Sequence, residues 1–480
     1  MTVAERAVTG VPPRRRGLLA AAVSGDEPTG ETRTWVKVLA VVAVASIGVR
    51  IPLPQGVTVG ELVAVVLLPL WAPAFLRFRG GRILVALGLA TLASGVVLLL
   101  AHRSTNPAAS GDVISSIAVF VSFVTAIGVV LWARGILRPS SIGIAFGIGL
   151  VVGIYPLDAQ FSSNPWKFSF ALPLTVLALA LAQRLRRWWV EIAVLLALAA
   201  YSAGHDSRSL FGELFFALVI VAVQVPLRRR SPRGSVVRLL IGIAVLAVVV
   251  YNVGQALILG GFLGAATQAR SIAQIETSGS LILGGRPELA ATLALMSHHP
   301  AGFGAGVGLT PNQILEAKSG MADIGYAPNN GYVERYLFGS QVELHSVFGD
   351  LWAAFGIAGL VLSVVVAVLL VWGLVHQVAH RSTSAVGAFL VALSIWFLVF
   401  GPFLTSYRAM AVALGLVAIP LVTARRGSPR DARPLAPKEP SWPTSTPTTA
   451  PTGAPKPSLP PSTPGGADSS PSSSRGSSSR

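Results

Sequence analysis

The sequence predicts an all-α protein: a polytopic bundle of about 12 transmembrane helices with one long extracytoplasmic loop that carries short helices. Three observations lead there. Hydrophobic residues make up 52% of the chain and charged residues only 12%, whereas a soluble domain is about 25% charged. Apolar stretches long enough to cross a bilayer recur from residue 34 to residue 424. One polar segment, residues 255–345, interrupts them; a connection of roughly 90 residues among packed helices is more often functional than a mere connector.

Taken in order, residues 1–33 are basic and polar, with no apolar run ending in a small-residue cleavage site, and read as a cytoplasmic, disordered tail and not a signal peptide. Candidate spans follow at 34–51, 57–76, 83–101, 112–133, 141–157, 169–183, 188–203, 210–227 and 236–254, a bundle over residues 34–254. IPLPQG separates the first two. Beyond the long loop, three more spans at 347–375, 384–404 and 408–424 form a second stretch of bundle over 346–425. From residue 426 to 480 the chain is rich in Pro, Ser and Thr; it lacks the apolar surface to fold and reads as a disordered cytoplasmic tail.

Loop charge sets the orientation. RFRGGR, RGILRPSS, RLRR, LRRRSPRGSVVR, HQVAHR and ARRGSPRDAR occupy alternate loops, and the loops between them are poor in arginine. By the positive-inside bias both termini are cytoplasmic and residues 255–345 lie outside the cell membrane. The same bias accounts for the net charge of +17, because the arginines sit between apolar spans and in the tails and form no single nucleic-acid-binding face. There is no cysteine, hence no disulfide, thiolate metal site or thiol nucleophile.

The polar residues near the loop are the candidates for chemistry. Arg208, in GHDSRSLFGEL, falls in the first turn of a helix that Asp206 or Ser207 can cap. A cation there opposes the helix dipole unless an anion is bound; a snorkelling surface arginine is the plainer alternative. Arg286 precedes Pro287 at the start of a short helix whose Leu289, Leu293 and Met296 recur on one face. Two such arginines can clamp a diphosphate through bidentate hydrogen bonds. GFGAGVG (302–308) allows close backbone approach, either to a ligand or to the membrane bundle. His345, where the loop re-enters the membrane, is a candidate base, with a structural histidine as the alternative. Glu213 and Asp350 lie one turn inside spans, where acids are functional candidates or partners to the arginines. Arg408, in the last span, is a further candidate for the site. His298 and His299 are adjacent with no third ligand, so no metal site is expected.

At these residues the chain resembles the O-antigen ligase and O-antigen polymerase superfamily of membrane glycosyltransferases. SRSLFGEL (207–214) is similar to the family's Ser-Arg-Gly stretch that opens a helix, and GGRPELAATLALMSHHPAGFGAGVG (284–308) to its arginine, short helix, His-Pro and Gly-x-Gly run. HSVFGDLWAAFGIAGL (345–360) is similar to its His-Asn segment and the Gly-x-x-Gly helix that follows. The chain departs from the pattern at Ser209, Ser346 and Ala354, where Gly, Asn and Glu are usual. The resemblance implies that Arg208 and Arg286 hold the diphosphate of a polyprenyl-linked glycan and that His345 activates an acceptor hydroxyl. It implies a glycan, lipid or protein acceptor, an inverting transfer, and no cofactor or metal. A transporter or flippase of lipid-linked glycans is the rival reading, since about twelve spans is common there too. Transporters, however, bury charge near the midplane of broken helices, whereas these arginines gather at span ends.

Overall fold

The computed structural model describes residues 34–51, 57–155, 159–227, 236–262, 264–339 and 342–421. The tails expected over 1–33 and 426–480 lie outside these residues, as does most of the basic loop after residue 227. Among the described residues every regular element is a helix; two isolated β-bridges, Phe78 to Pro420 and Phe338 to Val342, are the sole extended pairings.

In chain order the helices are α1 (Thr34–Gly48), α2 (Val59–Val66), α3 (Leu68–Trp71, continued by a 3-10 turn over Ala72–Arg77), α4 (Gly81–His102), α5 (Ser110–Arg134), α6 (Pro139–Val152) and α7 (Ala159–Ser163). A π-helical turn, Trp166–Phe170, leads into α8 (Ala171–Arg184), followed by α9 (Trp188–Gly204), α10 (Arg208–Leu227) and α11 (Val236–Leu259). The long segment after α11 carries α12 (Ala265–Ser278), α13 (Leu281–Gly285), α14 (Glu288–His298), α15 (Pro311–Asp323) and a second π-helical turn, Val333–Leu337. The chain then returns through α16 (Val347–Ala379), α17 (Ala385–Phe400) and α18 (Phe403–Val417).

Each apolar stretch read from the sequence contains a helix among its described residues, yet helix length separates them. Among the described residues, five helices are long and apolar enough to cross a membrane: α4, α5, the continuous rod Trp166–Arg184, Leu240–Leu259 of α11, and α16. The pair α2 and α3 bends by 64° and makes a sixth if it is one broken span. Helices α1, α6, α9, α17 and α18 are apolar but only 10–17 residues long, short of the ~20 that a bilayer core requires. Hydropathy counts apolar residues whether or not the backbone stays helical, and α1 and α6 both stop early, where Gly153 packs against the Arg50 backbone.

Small residues set the helix contacts. Gly143 and Gly147 of α6 lie one turn apart and meet Ala180 and Leu177 of α8, where an added Cβ would fall 2.8 and 3.0 Å from those side chains. Such close backbone approach is how helices gain packing energy where lipid offers no hydrophobic drive. Aromatic pairs fill the middle, with Phe120 on Phe355 at 4.6 Å and Phe123 on Phe403 at 5.5 Å between ring centroids.

The long segment has a core of its own, in which Leu295, Phe303, Met321 and Leu337 pack with Trp352 of α16. GFGAGVG joins this core to the bundle. Phe303 and Gly304 N–H both donate to Ala353 O (2.8 and 3.1 Å), Ala305 N–H to Gly95 O (3.2 Å) and Gly308 N–H to Pro107 O (2.7 Å). These donors are engaged by protein, so the run is a packing seam and not a cradle for phosphate. α16 is kinked at Gly356, whose φ of 66° and ψ of −154° break the helix, and Gly356 abuts Ala301 O of the same segment. In α14 the buried face is Glu288, Ala291, Thr292 and Leu295, while Leu293 is 66% exposed. Of the Leu289, Leu293 and Met296 stripe, Met296 packs against this core but Leu293 does not, because α15 packs against the small side of α14, with Gly320 beneath Ala290 and Ala294.

Candidate functional site at the loop end of the bundle

Arg208 begins α10 directly after the turn His205–Asp206–Ser207. Asp206 holds a left-handed backbone (φ 55°), and neither it nor Ser207 makes the expected side-chain cap. Asp206 instead accepts from Arg270 (2.8 Å) and Thr267 (3.4 Å), with Lys167 Nζ at 4.0 Å. The reason lies in α12, which sets Thr267, Arg270 and Ser271 on one helical face across this turn. Ser271 Oγ takes a hydrogen bond from the Arg208 guanidinium at 2.8 Å. Burial alone would raise the Asp206 carboxyl, but the Arg270 hydrogen bond and the Lys167, Arg270 and Arg208 charges outweigh it and hold the carboxyl below the usual range.

Arg208 also feels the charge of Arg286. The two arginines that the sequence singles out, 78 residues apart by their numbers, thus come within electrostatic range of each other. Arg286 lies over the Trp396 ring of α17 at 5.7 Å, a cation–π contact. Beside it is Glu213, 6% exposed, neither of whose carboxylate oxygens has a hydrogen-bond partner among the described residues. Two residues after Arg286, buried Glu288 accepts a hydrogen bond from the Tyr332 hydroxyl. Burial and the adjacent Glu288 push the Tyr332 phenol upward, so it stays a neutral donor.

His345 sits at the far edge of the same cluster, its ring 5.8 Å from that of Tyr332. Its backbone is left-handed (φ 49°), a conformation that costs a non-glycine residue about 1–3 kcal/mol and persists where neighbours impose it. They do so here on both sides. Leu344 N–H donates to Asp350 Oδ1 at 2.7 Å. Ser346 Oγ donates to Leu398 O at 3.1 Å and accepts from Gly349 N–H at 3.3 Å, capping α16. The imidazole Nδ1 lies 3.1 Å from Glu343 O. A carbonyl can only accept, so this bond requires the Nδ1–H tautomer and leaves the lone pair on Nε2.

Asp350 is not a partner of the arginines. Its second oxygen accepts Phe403 N–H at 2.7 Å, so the carboxylate ties the start of α16 to the first turn of α18. Asp350→Ala should leave two backbone donors unpaired at about 1–3 kcal/mol each and let His345 drift. A lowered melting temperature in detergent, with Asp350→Asn intermediate, is the expected result; an unchanged value would remove Asp350 from this role.

Arg408 is grouped elsewhere. It is 9% exposed, stacked on Tyr407 at 4.5 Å and within charge range of Arg50; the Tyr407 hydroxyl reaches Glu61 at 3.4 Å. His299 pairs with Glu316 at 2.8 Å. Sequence reading missed Lys167, Arg270, Glu288 and Tyr332. Arg270 and Tyr332 sit in unremarkable polar helix and turn sequence, and only the fold of the long segment sets them beside Arg208 and His345. Set against known proteins, the chain matches no protein-family model, no curated protein and no solved structure.

Proposed function

We propose that this chain is a membrane glycosyltransferase of the O-antigen ligase and polymerase type. It moves a glycan from a polyprenyl diphosphate carrier to an acceptor hydroxyl at the outer face of the membrane. The observation that carries the reading is the convergence of Arg208, Arg286 and His345 at one end of the bundle, linked through Glu288 and Tyr332. In this reading all twelve apolar segments cross or enter the bilayer, both termini are cytoplasmic, and the 255–345 segment lies outside.

The reaction asks for charge stabilisation and one proton acceptor. The acceptor oxygen attacks the anomeric carbon from the face opposite the diphosphate, whose carbon–oxygen bond breaks with its electron pair passing to the phosphate oxygen. Arg208 and Arg286 stabilise the charge that develops there. His345 Nε2 takes the acceptor proton and afterwards releases it to solvent. Direct displacement inverts the anomeric centre.

Purified protein in vesicles, given a polyprenyl diphosphate glycan and candidate hydroxyl acceptors, should form a new glycosidic bond and release polyprenyl diphosphate. Movement of the intact lipid-linked glycan across the bilayer with no bond transfer would identify a flippase instead. A reporter fused after residue 310 should read outside in the same cells.

A further inference from the structure

Helices α8 and α9 enclose a cleft of about 800 Å³ that the reaction as described does not use. Its walls follow from helical periodicity. Leu174, Leu177, Ala178 and Leu181 fall on one face of α8, and Leu198, Tyr201 and His205 on the facing side of α9 and its end. The α8 face extends roughly 10 Å along the helix axis. Trp166 closes the upper end, donating its indole N–H to Ser202 Oγ at 3.3 Å, and the Asn164 amide donates to His205 O at 2.9 Å. Leu174, Leu181 and Tyr201 are 39%, 47% and 49% exposed, so the cleft is open along its side and hydrocarbon at membrane depth can enter it.

The mouth of this cleft is cationic. His205 is followed at once by Asp206, which pairs with Arg270 at 2.8 Å, and beside that pair stand Lys167 and Arg208, with Arg286 within charge range of both. Lys167 is fixed from the backbone side, its N–H donating to Asn164 Oδ1 at 2.9 Å. An apolar trough leading into surplus positive charge complements an amphiphile with a long hydrocarbon chain and a multiply charged anionic head. It is also continuous with the site that contains Arg208.

Resting on the glycosyltransferase reading, we propose that the α8–α9 cleft seats the polyprenyl chain of the donor and that Lys167 is a third cation for its diphosphate. Inside a bilayer, moving a chain from lipid to protein gains no hydrophobic energy. The cleft therefore acts by holding the head in register with Arg208, Arg286 and the base.

A polyprenyl diphosphate bearing a diazirine along its chain, photolysed with the full-length protein in phosphatidylcholine vesicles, tests this. The expected result is labelling within Ala171–Arg184 and Trp188–Gly204. Unlabelled polyprenyl diphosphate should compete, while an equal amount of phosphatidylglycerol should not. Equal competition by phosphatidylglycerol, or labelling confined to other helices, overturns the proposal. Ala178→Trp, which fills the trough, should erase the preference for a long-chain over a short prenyl donor, on the order of ten-fold in kcat/KM. Lys167→Ala, at an exposed position, should weaken labelling by both donors with folding intact. Transfer that proceeds with its chain-length preference unchanged in Ala178→Trp sinks the cleft and leaves the enzyme reading standing. Competed cleft labelling with no transfer from any donor sinks the enzyme reading and leaves a lipid diphosphate site.

Discussion

His345→Ala is expected to abolish glycan transfer while the protein still inserts and binds the lipid-linked donor. The expectation rests on geometry: the Nδ1 contact with Glu343 O leaves Nε2 as the free base, and Leu344 and Ser346 are each pinned, so the imidazole is delivered in one position. General-base catalysis contributes about 10²–10⁴-fold, so a two-fold loss would contradict the role. Because the loss is confined to the proton-transfer step, kcat should fall with little change in donor affinity. Arg208→Lys and Arg286→Lys should behave differently. They keep the charge but lose the planar fork, and Arg286→Lys also weakens the stacking on Trp396. Both should weaken donor binding as well as turnover, read by titration of the lipid-linked donor.

The second large effect is structural. Gly304 has φ 124°, and an added Cβ would fall 2.4 Å from Leu99 N and 2.8 Å from Leu98 C, both backbone atoms that cannot move aside. Gly304→Ala combines left-handed strain of about 1–3 kcal/mol with overpacking of about 1–3 kcal/mol. It also displaces the paired N–H contacts to Ala353 O. The sum is a large share of a typical stability of about 5–15 kcal/mol. The expected readout is a sharp fall in melting temperature and in yield of folded protein from detergent. Gly111→Ala is the matched control, since nothing lies within 4 Å of its Cβ position on α5; it should be neutral or mildly stabilising. Equal behaviour of the two variants would show that the 302–308 seam does not hold the loop to the bundle.

The contrast between those glycines shows what a sequence can carry. GFGAGVG announces close backbone approach, because alternate glycines serve little else, but not what approaches. The answer is Ala353, 50 residues on from Phe303, and the backbones of α4 and α5, among them Gly95, 210 residues before Ala305.

The sequence by itself determined that the chain is helical and apolar enough to enter a membrane, since hydropathy and 3.6-residue periodicity are local properties. It also singled out Arg208, Arg286 and His345, because charged and titratable side chains are rare enough in such a chain to be conspicuous. The structure decided which helices reach spanning length: α6 ends at Val152, where Gly153 lies against the Arg50 backbone, although the apolar run read from the sequence continues to residue 157. It alone separated Asp350 and Arg408 from the two arginines and recruited Lys167, Arg270, Glu288 and Tyr332 to them. Whether an acid serves as a brace or as a partner depends on which donors lie within 3 Å of it. For Asp350 those donors, Leu344 N–H and Phe403 N–H, are backbone groups that carry no mark in the sequence.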